Sequence, residues 1–158
     1  CLLEQLNLAK ANDLREIYQE LNLKKTVNNT KKDSKPNLTT YQDDDGNQIL
    51  VGKNNIQNNY LTHKLAKKTD YFFHVQGSPG SHTILRNNNP SLKTIHLAAK
   101  IAAFYSKSRY SSNVAVDYTF VKNVKKVPNE KGSFVLYTNY KTVFVTPDGE
   151  ELKSYLKN

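Results

Sequence analysis

Residues 71–82 read YFFHVQGSPGSH, and the way this stretch folds back on itself decides the architecture. Five residues rich in aromatics have the composition of a buried strand, and the Gly- and Pro-bearing segment behind them has that of a turn. The spacing predicts a strand over Tyr71–Val75, a tight turn at Ser78-Pro79-Gly80-Ser81 and a returning strand over Thr83–Arg86. Proline in the second place and glycine in the third fit a type II turn. In that register His74 lies opposite Leu85 and His82 opposite Gly77, so the two imidazoles point to opposite faces. Such parity argues against a metal ion shared between them. No histidine pair has the helical i,i+3 or i,i+4 spacing with an attached carboxylate that zinc hydrolases use, and serine-nucleophile motifs are absent. A buried or strand-capping role fits each histidine, and so does contact with a bound polyanion.

Working outward, Leu38–Tyr41 and Gln48–Val51 flank Asp43-Asp44-Asp45-Gly46-Asn47, and an Asp-Gly pair between β-formers predicts a hairpin. The aspartates lack the alternating ligands and downstream Glu of a calcium loop, so they read as a solvated tip. Gly52-Lys53-Asn54-Asn55 leads into a helix over Ile56–Lys67, with Asn54 or Asn55 as its cap. Ser91 caps the longest predicted helix, Leu92–Ser108. Strands follow over Val114–Val121, Phe134–Tyr137 and Thr142–Val145, and Pro147-Asp148-Gly149 precedes a short tail helix. This order predicts an α+β domain with a mainly antiparallel sheet and two packed helices. It is preceded by a helical stub over residues 1–23, where Leu2, Leu3, Leu6 and then Leu14, Ile17, Leu21 have helical spacing, and by a polar linker over 24–37. The domain itself is placed at 38–147 and a C-terminal tail at 148–158.

The chain has 158 residues, enough for one domain with an appendage, and its 37% apolar content is low for a compact domain. A mean hydropathy of −0.69 points the same way, toward a polar extension. No apolar run reaches membrane length and no secretory leader is visible, which argues against membrane insertion. Cys1 is the sole cysteine, which excludes an internal disulfide framework and a multi-cysteine zinc site. The absence of methionine reads as the mark of a fragment.

The formal net charge is +9, a balance that favours polyanionic partners. Between Lys93 and Lys126, Asp117 is the one acid among seven cations. On the helix from Leu92, the residues Ile95, Ala98, Ala99 and Ala102 share a small-residue face suited to close packing. Lys93, His96, Lys100 and Lys107 fall on nearly the opposite face, without acids at i,i+4, and read as an unpaired cationic stripe. Tyr105-Ser106-Lys107-Ser108-Arg109-Tyr110 mixes the cations and hydroxyls that hold phosphates with the aromatics on which unpaired bases stack. Tyr118 and the run Lys122-Asn-Val-Lys125-Lys126 add more of both. Asp117 is read as an anchor for Arg109 or a histidine, or as a direct contact. The Gly52–Asn55 junction is read as anion-attracting through free helix N–H groups. It lacks the Gly-x4-Gly-Lys-Ser/Thr spacing of a nucleotide loop, which excludes ATP hydrolysis of that kind.

Several segments occur in a fixed order: Ile49-Leu50-Val51-Gly52-Lys53-Asn54-Asn55, Asp70-x-x-Phe73-His74-Val75, Pro79-Gly80-Ser81-His82, and Ala103-Phe104-Tyr105-Ser106-Lys107. Val116-Asp117-Tyr118-Thr119, Val121-Lys122, Lys125-Lys126 and Tyr140-Lys141-Thr142, with Val145 and Pro147, complete the series. Over about Leu38–Pro147 it resembles NFACT-R, the RNA-binding domain of the NFACT family; a departure is Tyr71-Phe72, where the family usually has Leu-Trp. The resemblance makes the N-terminal stub the exit from the family's central coiled coil. It implies an RNA-binding module of a ribosome quality-control factor, one that engages stalled large ribosomal subunits carrying peptidyl-tRNA and recruits tRNA for untemplated C-terminal alanine tailing. The implied partners are large-subunit rRNA and tRNA, the location is the ribosome in the cytoplasm, and neither cofactor nor metal nor enzymatic chemistry is implied for the domain. Because family members include proteins described as binding fibronectin, the alternative is a fibronectin- or fibrinogen-binding adhesin module with cell-surface exposure. For RNA contact the residues nominated are Lys53, Asn54, Asn55, His74, Gly80, Ser81, His82, Arg86, Lys93, His96, Lys100, Tyr105, Ser106, Lys107, Arg109, Tyr118, Lys122, Lys125 and Lys126. Of these, Lys100, Lys107, Arg109, Lys122, Lys125 and Lys126 are expected to form one patch.

Overall fold

Short β-rich segments, the central ones buried almost end to end, build a six-stranded antiparallel sheet, here described from a computed structural model for residues 36–128 and 132–157. The helical stub and most of the linker lie outside the described residues. The strands are β1 (Thr39–Gln42), β2 (Gln48–Gly52), β3 (Tyr71–Val75), β4 (His82–Leu85), β5 (Val114–Phe120) and β8 (Lys141–Val145), and their order across the sheet is β1-β2-β4-β3-β5-β8. A separate two-stranded hairpin is formed by β6 (Val124–Lys126) and β7 (Val135–Tyr137). The expected α+β class with a mainly antiparallel sheet is what the chain adopts. Strand β6 is an addition: its alternation is short and its two lysines read as a basic run.

Both faces of the sheet are covered, which explains why central strands read as almost continuously apolar. Phe73, Val75, Val51 and Leu85 face the helix α2 (Leu92–Phe104), whose Leu97, Ala98, Ala99, Ile101 and Ala102 are buried against them. Alanines at the contact let the helix backbone come close to the sheet. Phe72, Leu50 and Ile84 point the other way, onto Leu61, Val121 and Val124. That second layer comes from α1 (Asn55–Tyr60), its continuation as a π-helical turn over Leu61–Leu65, and the β6–β7 hairpin. Asn54 caps α1 by accepting from the Gln57 amide, and Ser91 caps α2 by accepting from that of Thr94. The first helix thus changes type after Tyr60, and α2 stops at Phe104, so Lys107 is not on it. Residues after 147 pack on the core: Asp148 caps α3 (Gly149–Lys153), Leu152 is buried, and Lys157 donates its amide to the Thr40 carbonyl beside β1.

The β3–β4 connection departs from the expected turn. Tyr71 pairs with Leu85, Phe72 with Ile84 and Phe73 with Thr83. Continued one step, this register sets His74 against His82 on the same face, with ring centroids 5.9 Å apart. The opposite-face expectation is therefore overturned. Positive φ occurs at Gly77 (78°) and not at Gly80, so no type II turn centres on Pro79-Gly80. Instead Gly80 forms a bridge with Ser106, and the His82 amide donates to Asn58 Oδ1. These two tethers draw residues 76–81 into a wide loop, a long-range effect that turn residues alone do not encode.

Candidate nucleic-acid interface

At the end of the sheet where β3 passes into β4, a cleft of about 780 Å³ opens to solvent. One side is the segment leaving α2, with Phe104, Tyr105, Ser106 and Arg109; the other is the start of β7, with Ser133, Phe134, Val135 and Tyr137. Lys53, Asn54, Asn55 and Asn58 stand at one end, and His74, Gly80, Ser81 and His82 line the remainder. The structure thus gathers ten nominated residues in one place: Lys53, Asn54, Asn55, His74, Gly80, Ser81, His82, Tyr105, Ser106 and Arg109.

Polar side chains far apart in sequence fix the walls. Asn59 Nδ2 donates to the Gly132 carbonyl at 2.9 Å, Asn58 Nδ2 donates to Ser133 Oγ at 3.1 Å, and Ser133 Oγ donates to Asn55 Oδ1 at 2.9 Å. The β6–β7 hairpin is thereby tied to α1. Close approach is needed here, because a Cβ on Gly52 would run into Asn58 Oδ1 and lie 2.8 Å from the Asn58 backbone nitrogen. The opposite wall is set by the hydroxyls of Tyr41 and Tyr105, 2.7 Å apart. On the β7 side Asp117, which is buried, accepts from Tyr137 Oη (2.7 Å), Thr142 Oγ1 (2.7 Å) and Gln76 Nε2 (3.1 Å). Asp117 therefore anchors Tyr137 in the cleft wall, where an anchor for Arg109 or a histidine, or else a direct contact, was expected.

The two histidines differ. His82 is 1% exposed, and its Nδ1 lies 2.7 Å from Thr62 Oγ1. Burial first, then the nearby His74 and His63, push its pKa down to about 3, against the pull of the Ser133 and Asn58 backbone. It is a neutral strut joining β4, α1 and the hairpin. His74 is half-buried and its Nδ1 lies 2.8 Å from the Val75 carbonyl, which can only accept, so Nδ1 carries the proton and Nε2 is left as an acceptor. Burial lowers its pKa as well, opposed by the Val75 carbonyl and Asp117. Among the described residues no group of three His, Cys, Asp or Glu is placed to hold a metal.

Two cations flank the cleft. The Arg109 guanidinium carbon lies 4.0 Å from the centroid of the Phe104 ring, and Lys53 Nζ lies 5.8 Å from that of Tyr105. Arg109 Nε has no hydrogen-bond partner among the described residues. The junction before α1 is less open to anions than expected: the Lys53 amide donates to Gln57 Oε1, and the Gln57 and Asn58 amides donate to Asn54.

The remaining nominated residues lie elsewhere. Arg86 pairs with the buried Asp70 at 3.8 Å. Lys93 faces Asp44 at 3.9 Å and Lys100 faces Glu151 at 3.1 Å, and with His96 they border a second hollow beside Asp43 and Asp45. Two cations of the expected helical stripe, Lys93 and Lys100, are thus paired after all, by acids from the β1–β2 tip and α3. Tyr118 is a core residue stacked on Phe73 at 5.4 Å. Lys122 lies over Phe120, while Lys107, Lys125 and Lys126 are exposed. The six-cation patch is therefore divided: Lys100 belongs to the α2–α3 contact and Arg109 to the cleft. Sequence reasoning missed Asn58, Phe104, Ser133, Phe134 and Tyr137. An aromatic just beyond a Gly-Ser pair was a faint sign for Phe134, and Phe104 stood in a segment that carries the family resemblance; nothing local marks the others.

A groove with cations and aromatics on its walls, set into the end of an antiparallel sheet, defines an α+β domain of polyanion-binding character. Residues 38–138 match the family model described as the NFACT protein RNA binding domain. The chain belongs to the NFACT family. It is 44% identical to the "Rqc2 homolog RqcH" of Bacillus subtilis, over 94% of this chain and 27% of that protein. The protein of the same description from Streptococcus suis is 39% identical, over 97% of this chain and 28% of the relative. The chain thus spans less than a third of the curated relatives it matches. Among solved structures, the C-terminal part of the fibronectin/fibrinogen-binding protein from Streptococcus suis superposes with a TM-score of 0.77 at 36% identity, covering 98% of this chain and 63% of that one.

Proposed function

We propose that this chain is the RNA-contacting part of a ribosome quality-control factor. The whole protein binds large ribosomal subunits stalled with peptidyl-tRNA and recruits tRNA for untemplated alanine tailing at the C-terminus of the nascent chain. The domain supplies contacts to rRNA or tRNA, and the peptide-bond chemistry is the ribosome's. It works in the cytoplasm on the ribosome. One observation carries the reading: the cleft that joins Lys53, Arg109, Tyr105 and Phe134 lies inside the segment matched to an RNA-binding family. Cations there meet phosphate while aromatic rings meet bases, as RNA recognition requires.

The test is binding of the chain to ribosomal RNA and tRNA across a salt series. Affinity should fall steeply, with log K against log salt sloping by about −0.7 to −0.9 per phosphate neutralised. K53E/R109E should weaken binding about tenfold or more at 0.1 M salt. A flat salt response, or an unchanged affinity in the double variant, overturns the assignment. A second reading, a fibronectin- or fibrinogen-binding module exposed at the cell surface, is supported by the description of the structural relative. It predicts fibronectin capture that K53E/R109E leaves intact.

A further inference from the structure

We propose that the cleft receives a single unpaired nucleotide, with its base turned inward between the hairpin and the post-α2 segment and its phosphate held at the rim by Lys53 and Arg109. This rests on the RNA-binding reading and names the form of RNA that the site takes. A duplex presents a regular row of phosphates, and an exposed cationic strip such as Lys125-Lys126 suffices to meet it. A concave groove adds nothing to that contact. An extruded base needs a slot, an aromatic face and polar atoms for its edge.

All three are present. The cleft volume of about 780 Å³ lies in the range of sites that enclose small organic groups. Phe134 lies on its wall with 56% of its surface exposed, a large ring left in solvent where a base can stack. Ser81 lines the cleft at 7% exposure, and its hydroxyl and that of Ser78 have no hydrogen-bond partner among the described residues. Buried hydroxyls are ordinarily paired, and these two, closed to solvent beside the cleft, would meet a ligand's edge by rotating about their own Cα–Cβ bonds. Hydroxyls donate and accept, and His74 Nε2 accepts, so together they complement the mixed donor and acceptor edge of a base.

The experiment compares the full chain's affinity for a fully paired RNA hairpin and for the same hairpin carrying one bulged nucleotide, with 2-aminopurine as the bulged base. The bulged RNA should bind at least about fivefold tighter, the scale of one stacked base, and its fluorescence should change on binding. F134A and S81A should each bring the ratio of the two affinities toward one, with circular dichroism confirming that the variants fold. Equal affinity for the two RNAs overturns the nucleotide proposal while leaving RNA binding standing. Binding to neither overturns the RNA reading itself. Displacement of the bulged RNA by adenosine monophosphate at comparable concentration also overturns the proposal, in favour of a free-nucleotide site.

Discussion

His82 shows how one side chain couples the fold to pH. Its folded pKa is pushed down to about 3 by burial, while the unfolded chain keeps a value near 6.5. Between these values the unfolded state takes up a proton that the folded state refuses, so acid favours unfolding. The stabilisation is fully present above about pH 6.5 and is lost progressively as pH falls toward 3. His74, lowered in the same direction, adds to it. The urea midpoint should therefore fall on going from pH 7 to pH 4, by an amount worth on the order of a few kcal/mol. H82Q should flatten that dependence, though it destabilises at neutral pH by disturbing the Thr62 contact. An H82Q profile as steep as the parent's would remove His82 as the cause. The register made this reading possible, since a histidine at a solvent-facing turn would titrate freely.

Among the elements, α3 illustrates how a terminal segment becomes structural. Asp148 Oδ1 accepts from the Glu150 and Glu151 amides, which fixes the start of α3. Leu152 is then 1% exposed within the main core, the Gln42 amide donates to the Tyr155 carbonyl, and Leu156 bridges to Tyr41. The tail therefore closes the β1 edge of the sheet, a position at which unpaired strands invite association. L152A should cost about 2–5 kcal/mol in chemical denaturation, the usual range for emptying a buried leucine site. Truncation before Asp148 should do the same and should also increase self-association in sedimentation. A truncated chain as stable and monodisperse as the parent would mean that α3 contributes nothing to the core. Helix α2 was more legible. Its cap Ser91 and its alanine-rich face are local features, and the structure uses both.

For the whole molecule, charge is arranged by tertiary neighbours more than by sequence neighbours. Lys93 and Lys100 find acids on the β1–β2 tip and on α3, whereas Lys53 and Arg109 stand at the cleft. Reversing the first pair and the second should therefore have different consequences. K93E/K100E sets a second carboxylate beside Glu151 and should lower the melting temperature. At about 0.15 M salt, where screening acts over roughly 8 Å, its RNA affinity per folded molecule should nonetheless change less than about threefold. K53E/R109E should show the reverse pattern. Equal loss of RNA affinity in both variants would mean that the whole basic surface binds, with no privileged cleft.

The sequence by itself determined most of the strands, the start of α2 at the Ser91 cap, the antiparallel class and the basic balance, because these follow from period, turn chemistry and composition within short windows; it narrowed the cap of α1 to Asn54 or Asn55. It also carried the order of segments that marks the NFACT family. Tertiary structure alone decided the face of His82, the pairing of Lys93 and Lys100, the anchoring of Tyr137 by Asp117, and the docking of Ser133 against α1. Each depends on contacts between residues 20 to more than 70 positions apart. For YFFHVQGSPGSH the deciding forces were the Gly80–Ser106 bridge and the Asn58 side chain on the His82 amide. They come from outside the hairpin, so its own turn residues could not set the register.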